Sequence, residues 1–304
     1  MELGRLLTAM VTPFDAEGKV DYEQAKRLAL ALLDSGSDGL VLAGTTGESP
    51  TLTGEEKVRL FAEIKAAVGN RGAVIAGTGT YNTSESIELT REAEEAGVDA
   101  VLLTTPYYSK PPQEGLYRHF AAIAAATSLP VIVYNIPGRT AVNLTTETQL
   151  RLAQIPNMAG VKEASGDLQQ IAQIIDAAPP SYHVWSGDDQ LTLPIMAVGG
   201  YGAVGVSSHL VGVQMRRIIS AQLEGSHDAS AIHGRLLPLF NVLMTVWGNP
   251  GGVKFALNQL GFPVGGFRLP LCEPDEAAAK AIMAEVRRQQ IDLALPAGKH
   301  GVAV

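Results

Sequence analysis

The chain has 304 residues, 46% of them hydrophobic and 18% charged, with a formal net charge of −8. A charged share below the usual ~25% excludes a disordered chain and means that much surface is hidden, in a large core or against further copies of the chain. The acidic balance excludes the basic face of a nucleic-acid-binding protein, although a few local Arg or Lys residues suffice for an acidic small molecule.

Short apolar runs alternate with amphipathic stretches. The runs are Leu6 to Val11, Gly39 to Ala43, Ala73 to Ala76, Ala100 to Leu103, Val131 to Tyr134, Ala159 to Val161, His183 to Trp185 and Ala203 to Val206. Each is apolar at successive rather than alternate positions, the pattern of parallel strands buried on both faces. Between them, Asp21 predicts an N-cap for a helix to Ser35, with Gly36 as its stop. Thr53 to Val68 carries Glu55 and Glu56 in its first turn, where the helix dipole favours them. Further helices are predicted over Thr83–Ala96, Gln113–Thr127, Thr145–Ile155, Asp167–Ala178, Asp189–Val198 and Val211–Glu224.

About eight such units predict an α/β fold, a (β/α)8 TIM barrel over residues 1–225,. An open doubly wound sheet needs a glycine-rich nucleotide turn. The nearest candidate, Gly77-Thr78-Gly79-Thr80-Tyr81-Asn82, has Asn82 in place of a third glycine. Residues 226–304 read as a C-terminal helical domain, an appendage of three helices divided by breakers at 248–252 and 261–270, with a loose tail from Pro296,. No signal-peptide plan opens the chain and no run of 18 apolar residues occurs, so a cytoplasmic protein without a membrane span is expected. Cys272 is the single cysteine, which excludes an internal disulfide and a CxxC metal site,.

A barrel of this kind carries its site at the C-terminal ends of the strands. Lys162 is the one lysine that interrupts a strand. Burial favours its neutral amine, a nucleophile toward carbonyls that can form a Schiff base. A lysine paired to Glu163 or Asp167 is the equally weighted alternative. Lys254 reads as the start of an ordinary helix. Tyr134 ends the neighbouring strand, as a proton relay or as an aromatic plug. Thr45 and Thr46, between Gly44 and Gly47, form a turn suited to a carboxylate. Arg139 follows a Pro-Gly turn, where it either pairs a second carboxylate or stands free in solvent. Tyr107 and Tyr108 are adjacent loop aromatics, typical of an interface or ligand site. The six histidines show no metal-ligand spacing, and neither a GxSxG elbow nor a strong carboxylate pair occurs,. By elimination the strand ends favour a lysine Schiff base.

The ordered set GTTGES (44–49), TPYY (105–108), YNIPGRT (134–140), GVKEASGD (160–167) and SGDD (186–189) resembles the dihydrodipicolinate synthase family of pyruvate-dependent class I aldolases. The resemblance runs from about Leu6 to Leu271 and includes Asn249-Pro250, Lys254 and Arg268 to Leu271. It implies that pyruvate forms a Schiff base on Lys162 and is then condensed with L-aspartate-4-semialdehyde, in the diaminopimelate route to lysine. Tyr134, Thr45 and Tyr108 would relay protons, with Tyr108 supplied by a neighbouring subunit. Thr46 would hold the pyruvate carboxylate and Arg139 that of the aldehyde, with Gly187 and Val204 lining the pocket. No metal or organic cofactor is implied, and the assembly would be a homotetramer of two tight dimers. Two alternatives remain: a lyase of the same superfamily acting on a sialic or 2-keto-3-deoxy sugar acid, or a non-catalytic keto-acid-binding barrel. Arg139 in Gly138-Arg139-Thr140 favours the synthase.

Many members of the family are inhibited by lysine. The matching positions are Ser49, Pro50, Gly54, Lys57, Tyr81, Glu85 and Tyr107. In the lysine-sensitive pattern His and Asn stand at the positions of Lys57 and Tyr81. A lysine there repels a cationic effector, so feedback is expected to be weak or absent.

Overall fold

The computed structural model describes residues 3–295. The tail expected from Pro296 lies outside the described residues. Strands β1 (Leu6–Ala9), β2 (Gly39–Leu42), β3 (Ala73–Gly77), β4 (Ala100–Thr104), β5 (Val131–Asn135), β6 (Met158–Glu163), β7 (His183–Ser186) and β8 (Gly202–Gly205) run parallel and close into a ring, β1 pairing with both β2 and β8. This is the barrel expected from the sequence.

Side chains along each strand alternate between two apolar compartments. Leu7, Ile75, Leu102, Ile132, Trp185 and Val204 fill the barrel interior. Val101, Val133, Val161 and Val184 face the helices instead. Neither face meets water, which is why the strands read as unbroken apolar runs. The lower end of the interior is stoppered by aromatic rings. The Trp185 indole donates to the Gly4 carbonyl at 3.1 Å and meets Tyr201 edge-on at 5.2 Å, and Arg5 lies 4.2 Å from the Tyr201 ring centre.

The helices are α1 (Tyr22–Asp34), α2 (Gly54–Val68), α3 (Thr83–Glu95), α4 (Gln113–Ala124), α5 (Pro137–Thr140), α6 (Thr146–Leu152), α7 (Leu168–Ala177), α8 (Thr192–Ala197) and α9 (Ser208–Leu223). Asp21 caps α1 by accepting from the Gln24 amide. Thr53 and Glu56 form a reciprocal capping box on α2,. α4 ends earlier than its periodicity predicts, because Thr127 turns away to donate to Glu94 at 2.8 Å. The stretch 189–198 splits into a single 3₁₀ turn and α8, since Asp189 is withdrawn to bind backbone amides beyond β8. α9 starts at Ser208, with a kink at Val211 (φ −128°, ψ 41°). Helices α10 (Asp228–Asn241), α11 (Gly251–Gln259) and α12 (Glu276–Val286) follow. The segment Asp228–Val246 has the length (19 residues) and mean hydropathy (1.2) of a membrane span. Its Leu236, Leu239 and Phe240, however, are buried in the core outside the barrel.

Candidate active site

β6 is the one strand that carries charged residues into both compartments. Lys162 sits in register with Tyr134 on β5 and Trp185 on β7, and in a parallel sheet such partners share a face. Lys162 therefore faces the interior and is 5% exposed. Its amine lies 4.1 Å from the Tyr134 ring centre and makes no ion pair among the described residues. Burial pulls its pKa down to about 8. Asp189 acts against that shift and Arg139 acts with it. Burial pushes the Tyr134 hydroxyl up, with Arg139 opposing and Asp188 adding.

The pairing alternative for Lys162 fails on geometry. Glu163 faces the helices, where its carboxylate accepts from Asn135 Nδ2 (2.9 Å), the Ser165 amide (3.0 Å) and Gln149 Nε2 (3.1 Å). Asp167 caps α7 by accepting from the Gln170 amide at 3.0 Å. Room for the lysine comes from Gly187. A Cβ there would stand 3.0 Å from Lys162 Cγ and 3.1 Å from Cε.

The turn after β2 supplies the next part. Two non-glycine residues in the left-handed region bracket it, Ala43 (φ 49°) and Glu48 (φ 57°). Such strain is held only where the surroundings over-determine it. Thr46 is buried, and its hydroxyl accepts from Asn249 Nδ2 at 2.9 Å. Thr45, Thr104, Ile136, Arg139 and Tyr107 line a cavity of about 170 Å³ at the C-terminal mouth. Arg139 is exposed on α5, where its Nη2 donates to the Asn249 carbonyl at 3.2 Å. No hydrogen bond joins Thr45 to Tyr134 among the described residues. Tyr108 stands apart, 94% exposed with φ 72°.

The model of the dihydrodipicolinate synthetase family matches residues 2–289. The chain is 58% identical over 293 residues to a 4-hydroxy-tetrahydrodipicolinate synthase of Dehalococcoides mccartyi, covering 96% of this chain and 98% of that one. The chain belongs to the dihydrodipicolinate synthetase family. Its fold is that of a dihydrodipicolinate synthase from Bacillus anthracis, with a TM-score of 0.93 at 44% identity over 95% of this chain and 99% of the other. A lysine-bound structure of the enzyme from Cyanidioschyzon merolae matches with a TM-score of 0.92 at 45% identity, over 94% and 97% of the two chains.

Sequence reasoning missed four residues of this dihydrodipicolinate synthetase-family site. Asn249 touches both Thr46 and Arg139. Asp189 is buried and accepts from the Val206 (3.1 Å) and Ser207 (2.7 Å) amides beyond β8, and its charge favours the protonated Lys162 amine. Lys254 is no ordinary helix start. Its side chain is fully buried and paired to Glu48 at 2.6 Å. In sequence, their signals were the motifs GTTGES for Glu48, SGDD for Asp189, and the Asn249-Pro250 and Lys254 matches of the family resemblance.

The positions expected to match a lysine-binding site divide between two places. Ser49, Pro50 and Tyr107 line the outer side of the mouth cavity, and Tyr107 meets Tyr81 edge-on at 5.1 Å. Lys57 on α2 is buried. Burial lowers its pKa and Glu85 on α3 opposes this. Gly54 opens α2, with no atom within 4 Å of where its Cβ would stand. No group of three or more His, Cys, Asp or Glu fit to hold a metal occurs among the described residues.

Proposed function

We propose that the chain is a 4-hydroxy-tetrahydrodipicolinate synthase acting on pyruvate and L-aspartate-4-semialdehyde. The observation that carries this reading is the Lys162 amine, buried, without an ion pair and set beside Tyr134 at the mouth of the barrel. With its pKa near 8, roughly one amine in ten is neutral and nucleophilic at pH 7,.

In the proposed sequence, the amine adds to the pyruvate carbonyl and water leaves to give the imine. A methyl proton is then lost to give the enamine. The enamine carbon attacks the aldehyde carbon, and the new alkoxide takes a proton. Finally the product's own amino group attacks the iminium carbon, closes the ring and releases Lys162. Tyr134 delivers and removes the protons, with Thr45 and Tyr108 completing the relay. Thr46 holds the keto-acid carboxylate, Arg139 holds that of the aldehyde, and Gly187 and Val204 line the pocket. The exposure of Tyr108 supports its service to a neighbouring subunit, and a cytoplasmic homotetramer of two tight dimers is the corresponding assembly.

Borohydride added in the presence of pyruvate should leave an adduct on Lys162, and absence of an adduct would sink the Schiff-base reading. A panel of aspartate semialdehyde, N-acetylmannosamine and glyceraldehyde then tests the second substrate. Faster turnover of either sugar-derived aldehyde would reassign the enzyme within its superfamily.

A further inference from the structure

The turn that carries Thr45 and Thr46 is gripped from a distant part of the chain. Glu48 ends that turn in the left-handed region, at φ 57° and ψ 36°. Its amide donates to the Thr45 carbonyl at 3.2 Å and so closes the turn. Its side chain leaves the turn and meets Lys254 of α11 at 2.6 Å, 206 residues away, and neither side chain has any exposure. The second carboxylate oxygen accepts from the Arg268 amide at 3.2 Å. Aromatic rings surround the ammonium group, with Phe14 at 4.1 Å and Phe267 at 5.2 Å.

A fully buried ion pair is a poor source of net stability, because apolar side chains of similar size often replace it without loss. It does fix a geometry tightly, since moving either charge leaves the other uncompensated. The same C-terminal stretch also reaches Thr46 through Asn249. The turn is thus tied at Thr46 and at Glu48 to a part of the chain outside the barrel strands.

We infer that Glu48 and Lys254 are positioning residues for the reaction, their ion pair holding the Gly44–Gly47 turn at the height where Thr46 meets the carboxylate of the keto acid. Neither touches substrate. The inference rests on the Schiff-base reading above.

The test uses the full chain with Glu48→Leu and Lys254→Met combined, so that no lone charge stays buried. The readout is the pyruvate concentration that gives half-maximal borohydride trapping. It should rise about tenfold, with trapping at saturation and KM for the aldehyde within about twofold of the parent. A folded double variant with the parent's pyruvate dependence would overturn the inference. If the double variant does not fold, Glu48→Gln keeps the shape and drops the charge. A rise of about threefold is expected there, and an unchanged value would overturn the inference. A parent protein that traps no pyruvate at all would instead remove the Schiff-base reading itself.

Discussion

In the proposed reaction Gly187 and Arg139 would bear on different halves. A methyl group at 187 would press on the Ala164 Cβ and on two carbons of the Lys162 side chain. These contacts at 3.0–3.1 Å need shifts of only a few tenths of an ångström, so Gly187→Ala should fold but misplace the amine. We expect single-turnover imine formation to slow about tenfold, measured by rapid quench with borohydride. In the proposed reaction Arg139 binds the aldehyde's carboxylate, and its charge reaches the Lys162 amine only as a contribution secondary to burial. Arg139→Ala should leave imine formation within about twofold and lower kcat/KM for the aldehyde roughly a hundredfold. Equal loss of both would contradict its role. At this scale Lys162 was legible because a charge in an unbroken apolar strand has few explanations. Glu48 and Lys254 were not, because each looked like an ordinary charge beside a loop or a helix start. Their meaning lies in a contact between residues 206 positions apart, and no local pattern encodes that.

At the level of elements, the strands were legible because both faces of the sheet are dry, and the helix starts because Asp21, Thr53 and Asp167 make the capping contacts their types predict. What was not legible is where tertiary contacts take precedence over periodicity. Asp189 leaves a helical pattern for the Val206 and Ser207 amides, and the α9 kink at Val211 has no sequence signal. The pair α2–α3 also carries a functional expectation. Lys57 is buried on α2 with Glu85 on α3 as its compensating charge. An incoming amino acid would bring a second ammonium group to a carboxylate already shared. We therefore expect activity to persist in millimolar L-lysine. Half-inhibition well below 1 mM would contradict this.

For the whole molecule, two behaviours follow from groups far apart in the chain. The exposed Tyr108 predicts that protomers share their sites. Mixing Tyr108→Phe with Lys162→Ala subunits after mild dissociation should restore activity that neither variant has alone, because one site in the hybrid would hold both groups. No recovery in a hybrid shown to form would place Tyr108 outside the reaction. The second behaviour is acid sensitivity. His209 donates from Nδ1 to the Val206 carbonyl (2.8 Å) and accepts at Nε2 from the Val11 amide (3.2 Å). Burial brings both His209 and His119 down to about 4. Both lie below the unfolded value of ~6.5, so the unfolded chain binds more protons between those limits. Stability is therefore complete above pH ~6.5 and declines as pH falls toward 4, by an order of 3 kcal/mol for the fully buried His209,. Glu163 and Asp189, raised by burial, act in the opposite sense. The melting temperature should fall from pH 7 to pH 5, and a flat profile would contradict the assignment.

The stack of Trp185, Tyr201 and Arg5 beneath the interior has a consequence for traffic. A barrel stoppered below is a cul-de-sac, and whatever lies deepest must have arrived first. If the keto acid is bonded to Lys162 as proposed, the aldehyde can reach it only from the C-terminal side, and the product would have to leave by that same opening. A closed lower end would then favour an order in which the keto acid binds first.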